Sequence, residues 1–211
     1  MDRTRIVRLG TGLMALLGTV ACGAAPSQGV ARGEAIFDTC VPCHGAAGEG
    51  NLALGAPAIA GLPEYYVAAQ LQSFQANWRG AHPFDTVGIR MKSMVQALDL
   101  EGDLESVAQY VATLPGVDPA TTLHGDPEAG RASYQVCVAC HGPDGKGVEA
   151  VRSPPLVGQH DWYLLAQFQK FRKGWRGADP QDAFGQTMRP NSMLLDDEQV
   201  TDVIAYIQTL Q

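Results

Sequence analysis

What this chain of 211 residues lacks narrows it first. There is no excess of positive charge: 15 Lys and Arg stand against 22 Asp and Glu, a formal net charge of −7 and a pI near 5.1. A protein that grips nucleic acid needs a dense basic face to displace counterions from phosphates, so that class is excluded. An apolar run long enough to span a bilayer is also missing. The longest candidate, Leu9 to Ala21, has thirteen residues, where a helix needs about 20 to cross roughly 30 Å of hydrocarbon. Alternating apolar and polar residues, the mark of half-buried strands, are nowhere convincing. With 45% hydrophobic and 18% charged residues the chain is not a disordered one. Five cysteines cannot all enter a closed set of disulfides.

Arg3, Arg5 and Arg8 ahead of the thirteen-residue stretch read as a secretory signal over residues 1–21, without a twin-arginine pair. Export places the mature protein in the periplasm or at the outer cell face. Cys22, at the end of Gly18-Thr19-Val20-Ala21-Cys22-Gly23, resembles a lipoprotein processing box, although Thr19 stands where an aliphatic residue is usual. Lipidation of Cys22 would make it the first mature residue and the chain's sole reason for membrane contact. The alternative is an ordinary cut nearby. Loss of residues 1–21 removes three arginines and one aspartate, which takes the charge to −9.

The rest of the chain is one unit written twice. Residues 33–98 laid over 130–195 give 26 identities in 66 positions without a gap. The expected organisation is a flexible segment over 22–30, a first domain over 31–116, a linker over 117–125 and a second domain over 126–211. The connecting PGVDPATTLHGDP is rich in Pro and Gly. Val67, Leu71, Phe74 and Trp78 recur at helical spacing, as do Leu164, Phe168, Phe171 and Trp175. Leu104, Val107, Ala108, Val111 and Leu114 match Val200, Val203, Ile204, Ile207 and Leu210 as a closing helix. Asp196 and Gln199 look like its capping pair. The fold class expected is all-α, two small helical bundles in tandem.

Each copy carries Cys-x-x-Cys-His at the same place: Cys40, Cys43 and His44, then Cys137, Cys140 and His141. This is the attachment signature of covalent haem. On one helical turn two sulfurs can form thioethers to the porphyrin vinyl groups, and the next residue can ligate the iron. A helix opening at Gly33 or Gly130 would deliver that turn. Zinc knuckles do not require His directly after each pair, a thioredoxin-like pair needs a βαβ setting, and disulfides across Cys-x-x-Cys are strained. The flanking Gly45-x-x-Gly48-x-Gly50 and Gly142-x-x-Gly145-x-Gly147 read as turns rather than nucleotide loops, since no strand precedes them.

The duplication also selects the opposite ligands. His82 faces Asp179, Met94 faces Asn191, Met193 faces Gln96, His160 faces Pro63, and His124 lies in the linker; only Met91 and Met188 coincide. His44/Met91 and His141/Met188 are therefore the expected iron ligands. Six-coordinate His/Met iron moves single electrons at fairly high potential and leaves no position for a substrate.

These motifs, with Met-x6-Leu-Asp running from Met91 to Asp99 and from Met188 to Asp196, resemble the class I cytochromes c, in particular the dihaem cytochrome c4 type. The resemblance covers nearly the whole mature chain. It implies two cytochrome c domains, two haem c groups near the domain interface, and a periplasmic respiratory carrier with no catalytic residue. Its partners would be a quinol-oxidising cytochrome complex or a dehydrogenase as donor, and a terminal oxidase or reductase as acceptor. The alternatives are a dihaem redox enzyme (a peroxidase or a thiosulfate-oxidising protein) or the cytochrome subunit of a dehydrogenase or oxidase complex. The resemblance further implies that the carbonyls of Pro57 and Pro154 support the proximal histidines. Arg79 and Arg176, in the shared Trp-Arg-Gly, could meet haem propionates; the competing reading is an arginine at a helix end. Lys170, Arg172, Lys173 and Arg176 form a basic run in the second copy that could orient a partner. The haem-free chain is not expected to fold.

Overall fold

The computed structural model describes residues 28–98 and 102–210; the segment with Arg3 to Ala21 and Cys22 lies outside them. Ten α-helices are present among the described residues. In the first copy they are α1 (Val30–Phe37), α2 (Val41–His44), α3 (Glu64–Gln75), α4 (Thr86–Val95) and α5 (Asp103–Thr113). The second copy repeats them as α6 (Pro127–Ser133), α7 (Val138–His141), α8 (Asp161–Arg172), α9 (Ala183–Asn191) and α10 (Asp197–Gln208). Strand pairing is limited to two isolated bridges, Asn51 with Ala56 and Val148 with Ser153. None of these helices is long and apolar enough to cross a membrane. The all-α expectation holds.

Each domain closes where its first and last helices cross. A Cβ on Gly33 would stand 1.9 Å from the Ser106 carbonyl oxygen, and one on Gly130 would stand 2.0 Å from that of Asp202. Only glycine lets these backbones touch, so Gly33 and Gly130 are crossing points inside α1 and α6 rather than helix starts. The Arg32–Asp103 ion pair at 2.9 Å and the Gly29 N–H bond to Ser106 Oγ at 3.0 Å fasten the first crossing. Ile36, Phe37, Leu71, Phe74, Val95, Val107 and Val111 fill one core; Tyr134, Leu195, Val200, Val203, Ile204 and Ile207 fill the other.

Three local expectations change. Trp78 and Trp175 lie beyond their helices: after Ala76 the chain turns through Asn77 with φ 65°, and after Lys173 it turns through Gly174 with φ 68°. Met91 and Met188 sit on α4 and α9, helices that apolar periodicity did not reveal. Asp85 and Asp182 cap them, each carboxylate accepting a backbone N–H, from Gly88 and Gly185 respectively, at 2.9 Å. The connection over 117–125 is also docked. Asp161, 0% exposed, accepts the N–H groups of Thr122 and Leu123 together with the Thr122 hydroxyl, and Leu123 packs on the second core. The Asp196–Gln199 capping box is present as read.

Candidate metal centre

Each Cys-x-x-Cys-His motif forms its own four-residue helical turn, α2 or α7, after a break from the preceding helix. His44 N–H bonds the Cys40 carbonyl at 2.9 Å and His141 N–H bonds that of Cys137 at 2.8 Å, so both cysteines and the histidine share one turn. Gly45 (φ 83°) and Gly142 (φ 80°) end those turns. Both rings are buried, 6% and 8% exposed. His44 Nδ1 lies 2.9 Å from the Pro57 carbonyl and His141 Nδ1 lies 3.0 Å from that of Pro154. A carbonyl can only accept, so Nδ1 carries the proton and Nε2 keeps its lone pair for a metal. Burial lowers the pKa of both imidazoles, against the opposing proline bond, and favours the neutral, ligating form.

The glycine loops set those proline carbonyls. A Cβ on Gly50 (φ 90°) would come within 2.7 Å of the Pro57 carbonyl carbon, and one on Gly147 (φ 79°) within 2.6 Å of that of Pro154. The turn reading of these loops therefore has a consequence at the histidine: the loop must pass bare backbone against the proline peptide.

His44, Met91, His141 and Met188 line one continuous, largely apolar cavity of about 590 Å³ that runs through both domains, as do all four cysteines of the motifs. Met94 reaches it too, but its counterpart Asn191 offers no sulfur. His82, His124 and His160 do not line it. His82 stacks on Trp175 with centroids 4.9 Å apart, His160 Nε2 bonds the Glu49 carbonyl at 2.8 Å, and His124 is exposed.

Arg79 and Arg176 are buried on the cavity wall, each guanidinium over a phenylalanine ring, Phe74 at 4.3 Å and Phe171 at 4.5 Å. Their hydrogen bonds go to neutral groups, one in the arginine's own domain and two across the domain interface. Arg79 donates to Gln70, Tyr163 and Gln167; Arg176 donates to Gln167, Tyr66 and Gln70. Arg176 Nε has no partner. Asp182 acts on Arg176 only at a distance; buried cations without a directly bonded anion are costly, and the carboxylates of a haem would supply that charge. The donor set, the apolar walls and this orphaned N–H all fit haem c.

The profile of the cytochrome c family matches residues 30–115 and again 127–211. The chain belongs to the cytochrome c family. This cytochrome c is 34% identical over 191 residues to a thiosulfate dehydrogenase electron acceptor of Stutzerimonas stutzeri (strain A1501), covering 85% of this chain and 82% of the relative. It is 30% identical over 223 residues to cytochrome c4 of Azotobacter vinelandii, covering 98% and 97%. Among solved structures, reduced recombinant cytochrome c4 from Pseudomonas stutzeri superposes with a TM-score of 0.70 at 28% identity, over 87% of this chain and 100% of that one. It is thus a dihaem cytochrome of the c4 type, an electron-carrier family, with two covalent haem c groups.

Two features of the cytochrome escaped sequence reasoning. Gln70 with Gln167 and Tyr66 with Tyr163 build the interface network, and their identity in both copies was the available signal. Gln159 has no such counterpart, since Leu62 stands in its place. Its side chain bonds both the N–H (3.2 Å) and the carbonyl (2.8 Å) of Ala58, next to Pro57 in the other domain. The basic run on the second copy does not form a steering patch. Lys170 is paired with Asp85 and Arg176 is buried; Arg172 is tied to Asp197 and to the carbonyls of Ser192 and Leu195. Only Lys173 of the four is exposed.

Proposed function

We propose that this cytochrome is exported to the periplasm and passes single electrons between redox proteins, with His44/Met91 and His141/Met188 as the pairs that would hold the two haem irons. Cys40, Cys43, Cys137 and Cys140 would form the thioethers. The observation that carries this reading is the matched geometry: two neutral histidines, each held through Nδ1 by a proline carbonyl, on a cavity that Met91 and Met188 enter in register. Haem iron with a thioether ligand supplies reversible one-electron chemistry at raised potential. Pro57 and Pro154 fix the ring planes and hold the proton on Nδ1, so that Nε2 is the nitrogen that would meet the iron. Arg79 and Arg176 offer their N–H groups to the propionates, and the apolar walls exclude water, which limits reorganisation when the charge changes. With one His and one Met for each haem, no coordination position would be left open, which argues for a carrier rather than a peroxidase or a thiosulfate-oxidising enzyme.

Similarity to a thiosulfate dehydrogenase electron acceptor favours a dehydrogenase of that kind as one donor. Quinol-oxidising complexes as donors, and an oxidase or reductase as acceptor, complete the proposed circuit. Residues 1–21 are proposed as the export signal and Cys22 as a lipid anchor. A lipid-free N-terminus on the purified native protein would remove that anchor.

A spectrum with a ligand challenge tests the central reading. Both haems should be low-spin, show the near-infrared Fe–S(Met) band when oxidised, and resist CO when reduced. A high-spin fraction with peroxide turnover would refute it. Rapid reduction by a purified thiosulfate dehydrogenase in the presence of thiosulfate is the expected result for the donor; no reduction above the rate of thiosulfate alone would exclude it.

A further inference from the structure

The peptide that supports each proximal histidine is built differently in the two copies. In the first, the Pro57 carbonyl that accepts from His44 Nδ1 shares one planar unit with the Ala58 N–H. In the second, the unit joins Pro154 to Pro155, and a proline nitrogen carries no hydrogen. Only the first unit offers a second handle, and a residue of the other domain takes it.

That residue is Gln159, just ahead of α8 and 6% exposed. Its Oε1 accepts the Ala58 N–H at 3.2 Å and the His160 N–H at 3.0 Å, and its Nε2 donates to the Ala58 carbonyl at 2.8 Å. Two N–H groups at one atom and a carbonyl at the other leave the amide a single orientation. The Gln159 carbonyl accepts from Gln208 of α10 at 3.1 Å, which ties the residue to its own domain. His160 bonds the Glu49 carbonyl, and Glu49 precedes the Gly50 that passes against the Pro57 peptide. The second domain therefore holds both chains of the loop that meet at Pro57. Leu62 and Pro63 stand at the places of Gln159 and His160 in the first copy, so this clamp is no part of the duplicated unit. From the first domain, the Tyr65 hydroxyl reaches the Ser153 carbonyl at 2.8 Å, one peptide before the carbonyl that His141 meets.

Hydrogen bonds in series through one amide reinforce each other: an N–H that donates makes its carbonyl a stronger acceptor. We infer that Gln159 is a positioning residue for the proximal ligand of the other domain. Acting through the Pro57–Ala58 peptide, it holds in place the oxygen that receives the His44 Nδ1 proton. That bond sets the ring orientation and basicity of the ligand, so His44 is fully held only while the domains are docked. His141 does not depend on the clamp, because the Pro155 ring restrains its peptide covalently. This rests on the reading of His44 and His141 as iron ligands.

Imidazole N–H exchange on isotope-labelled ferrous holoprotein tests it, with Nδ1 of His44 and of His141 followed separately by NMR. Q159M keeps the length and bulk of the side chain and removes its hydrogen bonds. It should speed exchange at His44 by about two- to tenfold, the scale of one net hydrogen bond, and leave His141 at its parent rate. A packing role for Gln159 predicts no change at either ring, since methionine fills the same space. Unchanged exchange at His44, or equal acceleration at both rings, would overturn the inference. If Q159M does not fold, the parent protein serves. Urea below the unfolding transition should speed exchange at the Ala58 N–H and His44 Nδ1 together, ahead of His141; His44 rising no earlier than His141 would overturn it. Any of these failures beside a normal Fe–S(Met) band on both haems leaves the ligand reading standing. Absence of that band from either haem of the parent protein would sink both.

Discussion

Gly33→Ala is the change that most directly tests how the first domain is closed. An alanine Cβ would lie 1.9 Å from the Ser106 carbonyl oxygen, 2.6 Å from its carbonyl carbon and 2.8 Å from the Tyr110 Cβ. Two of these atoms are backbone of α5, so no side-chain rotation relieves the clash; α1 and α5 must separate by more than an ångström. Such separation loosens the Arg32–Asp103 pair and the Gly29–Ser106 bond, and it opens contacts of Ile36 and Phe37 with Val107 and Val111. Overpacking of this kind costs about 1–3 kcal/mol or more. Alanine's better helix propensity returns at most about 1 kcal/mol. A net loss of about 2 kcal/mol in a domain of this size lowers Tm by roughly 8–16 °C. Circular dichroism of the oxidised holoprotein, with the Fe–S(Met) band followed on the same heating ramp, should show the first domain melting early and the second unchanged. An unaltered Tm, or an equal loss in both domains, would mean that the crossing is not the tight contact described.

Other expectations follow from the same geometry. Asp161→Ala leaves three N–H groups (Thr122, Leu123 and Trp162) and the Thr122 hydroxyl without their acceptor, and should cost about 1.5–3 kcal/mol; hydrogen exchange at Thr122 and Leu123 should rise, and unchanged protection would refute the docked connection. Burial raises the Asp161 pKa, but bonds from Leu123, Thr122 and Trp162 outweigh it and bring the pKa below the ordinary value. Its stabilisation is therefore full above the unfolded carboxylate pKa and is lost as pH falls through the folded one; acid titration of wild type against Asp161→Asn checks the sign. Gly50→Ala should displace the Pro57 carbonyl and disturb the first haem alone, read as a shift in its Fe–S(Met) band; identical spectra would contradict the role given to that loop. Without haem, the large apolar cavity has nothing to pack around it, so apoprotein should lack a cooperative thermal transition, and observing one would refute this.

The local chemistry was legible because it is encoded within a few residues. Cys-x-x-Cys-His places two thiols and an imidazole on one turn whatever surrounds them. Comparison of the two copies separated Met91 and Met188 from Met94, Met193, His82 and His160. The helix bearing each methionine was not legible, since α4 and α9 are short, polar on much of their surface and marked chiefly by an aspartate cap. Arg79 and Arg176 show the same limit. Their motif marked them as shared, yet their environment depends on Gln70 and Gln167, each of which serves both arginines from opposite sides of the interface.

By itself the sequence determined the duplication and the two Cys-x-x-Cys-His motifs proposed to hold haem, because each is a matter of spacing along the chain. Tertiary structure alone decided which groups near the cavity are charged and which are neutralised. The basic run of the second copy, a patch on paper, dissolves into internal bonds, and Lys170 becomes the neutralising partner of an aspartate 85 positions earlier. The physical reason is that a charge acts through its surroundings: burial and the distance to its partner set its effect, and both are fixed when the two domains meet.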